Sequence, residues 1–147
     1  MAKLPVPAPK WMTTVYRGDE AAWEAAKTQC RGVLYEWAAE GKPHIYSELA
    51  SRVPAILWPE GAHTDEGSQV GFLLGQVALE ELSHVDDRPI ISALVIDKVN
   101  SMPSGGFWTL CTELGLNIGK SDLDRLKFWT AEFDACCLVY GGRSAAR

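Results

Sequence analysis

This chain predicts a mostly helical α+β domain, and three observations carry the prediction. Apolar residues recur at three- and four-residue spacing over 19–41, 68–83 and 121–142, as in amphipathic helices with one buried stripe. The apolar run Ile90-Ile91-Ser92-Ala93-Leu94-Val95-Ile96 reads as a buried strand. Only the charged turn Val85-Asp86-Asp87-Arg88-Pro89 separates that run from the 68–83 helix, so a helix feeds directly into a strand at the centre of the domain.

With 147 residues, 47% of them apolar, the chain can bury one sizeable core. The expected layout is an extended arm over 1–17, one compact domain over 18–142 and a short basic tail over 143–147. The six tryptophans are spread over the whole chain and read as core filling rather than as a stacking platform. Cys30, Cys111, Cys136 and Cys137 include no Cys-x-x-Cys pair, and adjacent cysteines rarely bridge each other, so reduced core thiols are expected. No leader segment opens the chain and no apolar run reaches the length of a membrane span, which points to a cytoplasmic protein. The net charge of −5 is unevenly placed. Lys3, Lys10 and Arg17 lie in an arm without acids, whereas 53–87 carries Glu60, Asp65, Glu66, Glu80, Glu81, Asp86 and Asp87 with no Lys or Arg. That middle segment would repel a phosphate backbone.

In chain order, Pro5, Pro7 and Pro9 make the first ten residues an extended strap or tail, with Trp11 to Tyr16 as a short strand or as its anchor. Asp19 caps the first helix, whose stripe is Trp23, Ala26, Cys30, Val33, Leu34 and Trp37, with Lys27, Arg31 and Glu36 off it. Gly41 and Pro43 end it. A brief extended lead-in at His44-Ile45 precedes a short helix that stops before Pro54 and buries Leu49, Ala50 and Val53. The stretch 54–67 is a long loop, with Thr64 or Asp65 available to cap the third helix. That helix carries Val70, Leu73, Leu74, Val77, Ala78 and Leu82 on one side and Gln69, Gln76, Glu80 and Glu81 on a polar side. Gly71 and Gly75, four apart, permit a close approach by a neighbour. After the strand, 98–106 has the composition of a turn or wing. Phe107, Leu110, Cys111 and Leu114 fit a short helix, with a second strand as the competing reading. Ser121 caps the last helix, whose stripe runs Leu123, Leu126, Trp129, Phe133, Cys136, Cys137, Tyr140 and which closes at Gly141-Gly142.

The order of helix, Tyr-Ser-Glu-Leu-Ala helix, helix, strand and wing is that of a winged helix. Tyr46 to Ala50, Leu73-Leu74-Gly75, Ser92 to Lys98 and Pro103 to Phe107 resemble the corresponding motifs of small uncharacterised bacterial and actinophage proteins. The likeness covers about half the chain and implies a winged-helix-like centre at 41–116, covered by the first and last helices. More distantly, Ile45 to Ala50, Gln69-Val70-Gly71 and Arg88 to Ile91 with Gly105-Gly106 resemble the DNA-binding half of alkyltransferase-like proteins and of the alkyltransferase enzymes. Those enzymes act through a Pro-Cys-His nucleophile, whereas this chain has Pro89-Ile90-Ile91, so the chemistry does not carry over. A reader of this kind without the cysteine needs a basic third helix, and here that helix holds Glu80 and Glu81.

Glu80, Glu81, His84, Asp86 and Asp87 form the densest cluster of ionisable groups, and Glu80 and His84 share a helix face. No second histidine lies nearby, so a solvated helix end outweighs a metal site. Asp97-Lys98 resembles a nuclease strand end but is off by one residue. Ser92 has no nucleophile-elbow context, and no phosphate loop, nucleotide fingerprint or zinc spacing occurs. Trp58 in the acidic loop and the adjacent Phe107-Trp108 suit an exposed aromatic patch ringed by acids. The sequence therefore points to a non-catalytic intracellular protein-interaction module, bacterial or phage-encoded, that needs no cofactor. Its candidate partner surface is Trp58, Glu80, Glu81, His84, Asp86, Asp87, Phe107 and Trp108. The alternative is a DNA-binding winged-helix protein using Lys3, Lys10, Arg17 and Lys98. A metal-dependent hydrolase built on Glu81, His84 and Asp97 ranks third.

Overall fold

Asp19 starts the first helix and Gly41 ends it. The Asp19 carboxylate accepts the Ala22 N–H at 2.7 Å, α1 runs Glu20–Glu40, and Gly41 adopts the left-handed conformation (φ 76°) while donating to the Trp37 carbonyl at 3.0 Å. The computed structural model describes residues 10–58, 69–84 and 89–145, without the side chains of 84 and 143–145. Outside the described residues lie the proline-rich part of the arm with Lys3, the acidic part of the long loop with Thr64 and Asp65, and Asp86 and Asp87 in the charged turn.

Five α-helices and a two-stranded parallel sheet make up the described fold. β1 (His44–Ile45) leads into α2 (Tyr46–Ser51), and α3 spans Gln69–His84. β2 (Val95–Ile96) pairs in parallel with β1, Val95 opposite His44 and Ile96 opposite Ile45. α4 covers Gly105–Glu113 and α5 covers Asp122–Ala145. The helix reading of 107–114 holds, and so do the stripes of α1 and α3, whose apolar residues form one core with Ile90, Ile91, Leu94 and Tyr140. α5 packs along α1 more extensively than any other pair of elements.

Three expectations are corrected. The run 90–96 is strand only at Val95–Ile96, because Ile91–Leu94 forms a 3₁₀ turn with the Ala93 N–H on the Ile90 carbonyl. α5 explains why. Trp129 Nε1 donates to the Ala93 carbonyl at 2.8 Å, the Ile90 N–H donates to Glu132 at 2.9 Å, Cys136 Sγ reaches the Ile90 carbonyl at 3.2 Å and the Tyr140 hydroxyl donates to the Pro89 carbonyl at 2.6 Å. These four residues recur at three- and four-residue spacing on one face. With its backbone groups satisfied by side chains, the buried segment needs no strand partner. Burial raises the Glu132 pKa and the Ile90 N–H opposes that rise.

The second correction concerns the end of α5. The helix does not close at Gly141-Gly142 but continues to Ala145, so 143–145 are helix rather than tail. Gly141 is instead a point of contact, where a Cβ would meet the Ala38 carbonyl oxygen at 3.3 Å and the Ala39 Cα at 3.4 Å.

The third concerns the polar side of α3. Gln76 and Glu81 are only 3% and 2% exposed, so that side faces protein rather than water. Gln76 Oε1 accepts the Trp23 indole N–H at 2.8 Å, and its amide donates to the carbonyls of Trp11 and Thr14 at 2.7 and 2.8 Å. One buried amide therefore holds the strap at 10–14 against α3. The Trp11 ring lies over Gly75, where a Cβ would come within 2.9 Å of it, and Tyr16 stacks on Phe72 at 4.2 Å. Lys10–Met12 is a 3₁₀ turn, so of the two readings of 11–16 the anchor describes it and the strand does not.

Candidate functional site

Every fourth residue of α1 from Trp23 carries a donor: Trp23, Lys27, Arg31 and Tyr35. They meet acceptors on α3 in matching order, which sets the two helices parallel. Trp23 donates to Gln76, Lys27 Nζ to Glu80 at 2.6 Å, Arg31 to Glu80 and, from Nε, to Glu81 at 3.3 Å, and the Tyr35 hydroxyl to Glu81 at 2.7 Å. Burial by itself would lower the Lys27 pKa, but its hydrogen bonds to Glu80 and Glu24 outweigh that effect and hold the ammonium above its ordinary value. The ladder thus takes Lys27 and Arg31, which the spacing put off the stripe, into an interhelical contact. Of the two acids named for the candidate partner surface, Glu81 is buried in this contact, whereas Glu80 is paired with Lys27 and Arg31 and keeps part of its side chain exposed.

The remaining candidates are dispersed. Trp58 is half-buried, with its ring edge-on to Trp23 and its N–H on the Val53 carbonyl. Arg17 donates to Gln69, while Lys10 and Lys98 are exposed. Asp97 organises the turn after β2, where its carboxylate accepts the Val99 N–H at 2.7 Å and its backbone bonds to Ser101 and Met102. Glu81 and Asp97, two of the three residues of the hydrolase reading, therefore have structural partners, and the side chain of the third, His84, lies outside the described residues. No group of three or more His, Cys, Asp or Glu that could hold a metal occurs among the described residues. All four cysteines are free thiols, and burial pushes Cys30 and Cys111 up to about 12, far from nucleophilic.

Phe107 and Trp108 lead to a different place. Phe107 is buried, whereas Trp108 is half-buried, with its N–H on the Pro103 carbonyl at 3.2 Å and the Arg125 guanidinium 5.0 Å from its ring centroid. Both line a pocket of about 680 Å³ that follows α4 along its length. Trp11, Phe72 and Leu74 form an apolar wall, and Tyr46, Ser92, Glu113 and Arg125 supply polar groups. Tyr46 accepts hydrogen bonds from the Ser104 N–H at 3.1 Å and hydroxyl at 2.9 Å, and burial raises its pKa against those bonds. Ser92 is 3% exposed, and its hydroxyl has no hydrogen-bond partner among the described residues. Glu113 Oε2 is likewise buried and without a partner. Pockets of about 300–1,000 Å³ with apolar walls and a few convergent polar groups are the usual form of small-ligand sites.

Sequence reasoning took Phe107 and Trp108 as an exposed patch, set Ser92 aside for want of a nucleophile elbow, and missed Glu113 and Arg125, which share no motif or spacing. His44, which the sequence offered beside Tyr46 as a residue that could dock a ligand, stacks on Trp37 at 4.2 Å and lies between Glu48 (2.7 Å from Nδ1) and Glu40 (2.9 Å from Nε2). The four-residue spacing of Glu40, His44 and Glu48 in this clamp is not a helical signature, because α1 ends at Glu40, His44 lies in β1 and Glu48 in α2, so only the fold brings the three together. No helix among the described residues is long and apolar enough to cross a membrane. No protein-family model, no curated protein and no solved structure matches this chain.

Proposed function

We propose that this chain is a non-catalytic binding module whose recognition site is the pocket along α4. The observation that carries the reading is the unpartnered Ser92 hydroxyl, buried in a wall of that pocket. Buried hydroxyls are nearly always hydrogen-bonded, so a wall that leaves one open is suited to a ligand that completes it. The reading keeps the aromatic half of the surface expected from sequence, Phe107 and Trp108, and gives up its acidic half at Glu80 and Glu81. The winged-helix-like assignment of 41–116 belongs to the same proposal. It rests on the order of α2, α3, β2 and the loop at 98–104, with β1 and β2 joining its two ends. Free thiols suit a module that works in the reducing cytoplasm.

The test is a fragment screen read on ¹⁵N-labelled tryptophan indoles. Binders at the site shift the Trp11 and Trp108 signals and leave Trp37 in place, and Trp108→Ala abolishes the response. Binders that act equally on Trp37, or that survive Trp108→Ala, sink the reading.

A further inference from the structure

The pocket also indicates what kind of molecule it would take. Its apolar wall is aromatic at Trp11, Phe72, Phe107 and Trp108, which favours a flat ring over an aliphatic chain. Among the described residues its only acid is Glu113, and an ionised carboxylate is acceptor-only, with about four sites to satisfy. Glu113 Oε2 is buried and has no hydrogen-bond partner among the described residues. The pocket's cation does not answer it, because Arg125 lies over the Trp108 ring and no ion pair joins it to Glu113 among the described residues. A carboxylate among the residues lining an aromatic pocket favours an N–H donor that is also cationic. Such a group makes a charge-assisted hydrogen bond to the acid and is attracted by the ring faces. The Ser92 hydroxyl, which can donate or accept, is left for a second polar atom of the ligand.

We infer that the pocket binds a small aromatic amine, its ring among Trp11, Phe72, Phe107 and Trp108 and its ammonium on the Glu113 carboxylate. The inference rests on the reading of the α4 pocket as the recognition site and adds the chemical class of its ligand. An aromatic acid of the same size is the discriminating competitor. It would set its carboxylate against Glu113, or would have to turn toward Arg125 at the cost of leaving Glu113 unanswered.

The experiment is calorimetric titration of the full chain with tryptamine, indole-3-acetate and neutral indole, together with the Trp11 and Trp108 indole signals. Tryptamine is expected to bind at least ~10-fold tighter than indole-3-acetate, a difference of about 1.4 kcal/mol. Glu113→Gln, which keeps the shape and removes the charge, should bring the two within ~3-fold, and Ser92→Ala should weaken both while preserving their order. The comparison in the unmodified chain stands even if neither variant folds. Indole-3-acetate binding as tightly as tryptamine, or tryptamine binding unaffected by Glu113→Gln, overturns the amine assignment while leaving the pocket reading in place. If none of the three probes shifts Trp11 and Trp108, and the fragment screen finds no other binder there, both fall.

Discussion

Replacing Glu81 by leucine tests the parallel ladder between α1 and α3. Glu81 is 2% exposed and holds two rungs, the Tyr35 hydroxyl at 2.7 Å and Arg31 Nε at 3.3 Å. A buried hydrogen bond to a charged group contributes about 1.5–3 kcal/mol. The Arg31 contact is longer and its side chain is a quarter exposed, so it adds about 0.5–1 kcal/mol. Leucine supplies apolar volume but no acceptor, so the Tyr35 hydroxyl and Arg31 Nε each lose a charged partner, while Arg31 keeps its contact with Glu80. Glu81→Leu should therefore destabilise the protein by about 2–4 kcal/mol, and at about 2–4 °C per kcal/mol for a domain near this size, Tm falls by roughly 5–15 °C. Glu36→Leu is the control. Its pair with Arg52 at 2.6 Å is half-exposed on both sides and should be worth less than about 1 kcal/mol. Urea unfolding followed by tryptophan fluorescence reads both variants, and Trp23 is itself the first rung. In a double-mutant cycle with Tyr35→Phe, the coupling to Glu81 should be on the order of 1 kcal/mol. If Glu81→Leu costs no more than Glu36→Leu, or if the cycle closes with no coupling, the ladder is not a stabilising contact and the reasoning fails.

The two adjacent glycines of α5 should respond oppositely to alanine. Gly142 faces open space within a helix, so Gly142→Ala should stabilise by up to about 1 kcal/mol, whereas Gly141→Ala should lose that gain to the α1 backbone 3.3–3.4 Å from its Cβ; thermal melts of the two variants settle it. His44 carries a pH dependence. Burial lowers its pKa, the bonds to Glu48 and Glu40 outweigh that, and the net folded value lies above the ordinary 6.5. Because the folded pKa is raised, the stabilisation is fully present below pH ~6.5 and is lost as pH rises through the folded value. The stability gap between the unmodified chain and His44→Asn should shrink from pH 6 to pH 8.5, and a gap that widens over that range would refute the clamp. Proton NMR of the imidazole should place its titration above that of a free histidine.

The sequence by itself determined the helices, because their signals are local. Asp19 before Glu20, Gly41 after Glu40, and the stripes of α1 and α3 need only neighbours within a turn or two to be read. For 107–114 and for 11–16 the sequence left two readings each, and the fold chose the helix for the first and, through Gln76 on α3, the anchor for the second. Only the tertiary structure decided which polar residues are inside. Gln76 and Glu81 look like the wet side of α3 until Trp23, Arg31 and Tyr35 arrive from a helix some 50 positions away in sequence with donors for them. It decided the conformation of 90–94 as well. An apolar run is strand by default when its backbone must find another backbone, and here Trp129, Glu132, Cys136 and Tyr140 provide the partners from α5. Gly141-Gly142 carried a stop signal that packing on α1 overrode. The pocket had no local signature at all, because Trp11, Phe72, Ser92 and Phe107 come from four segments whose convergence is a property of the packed fold.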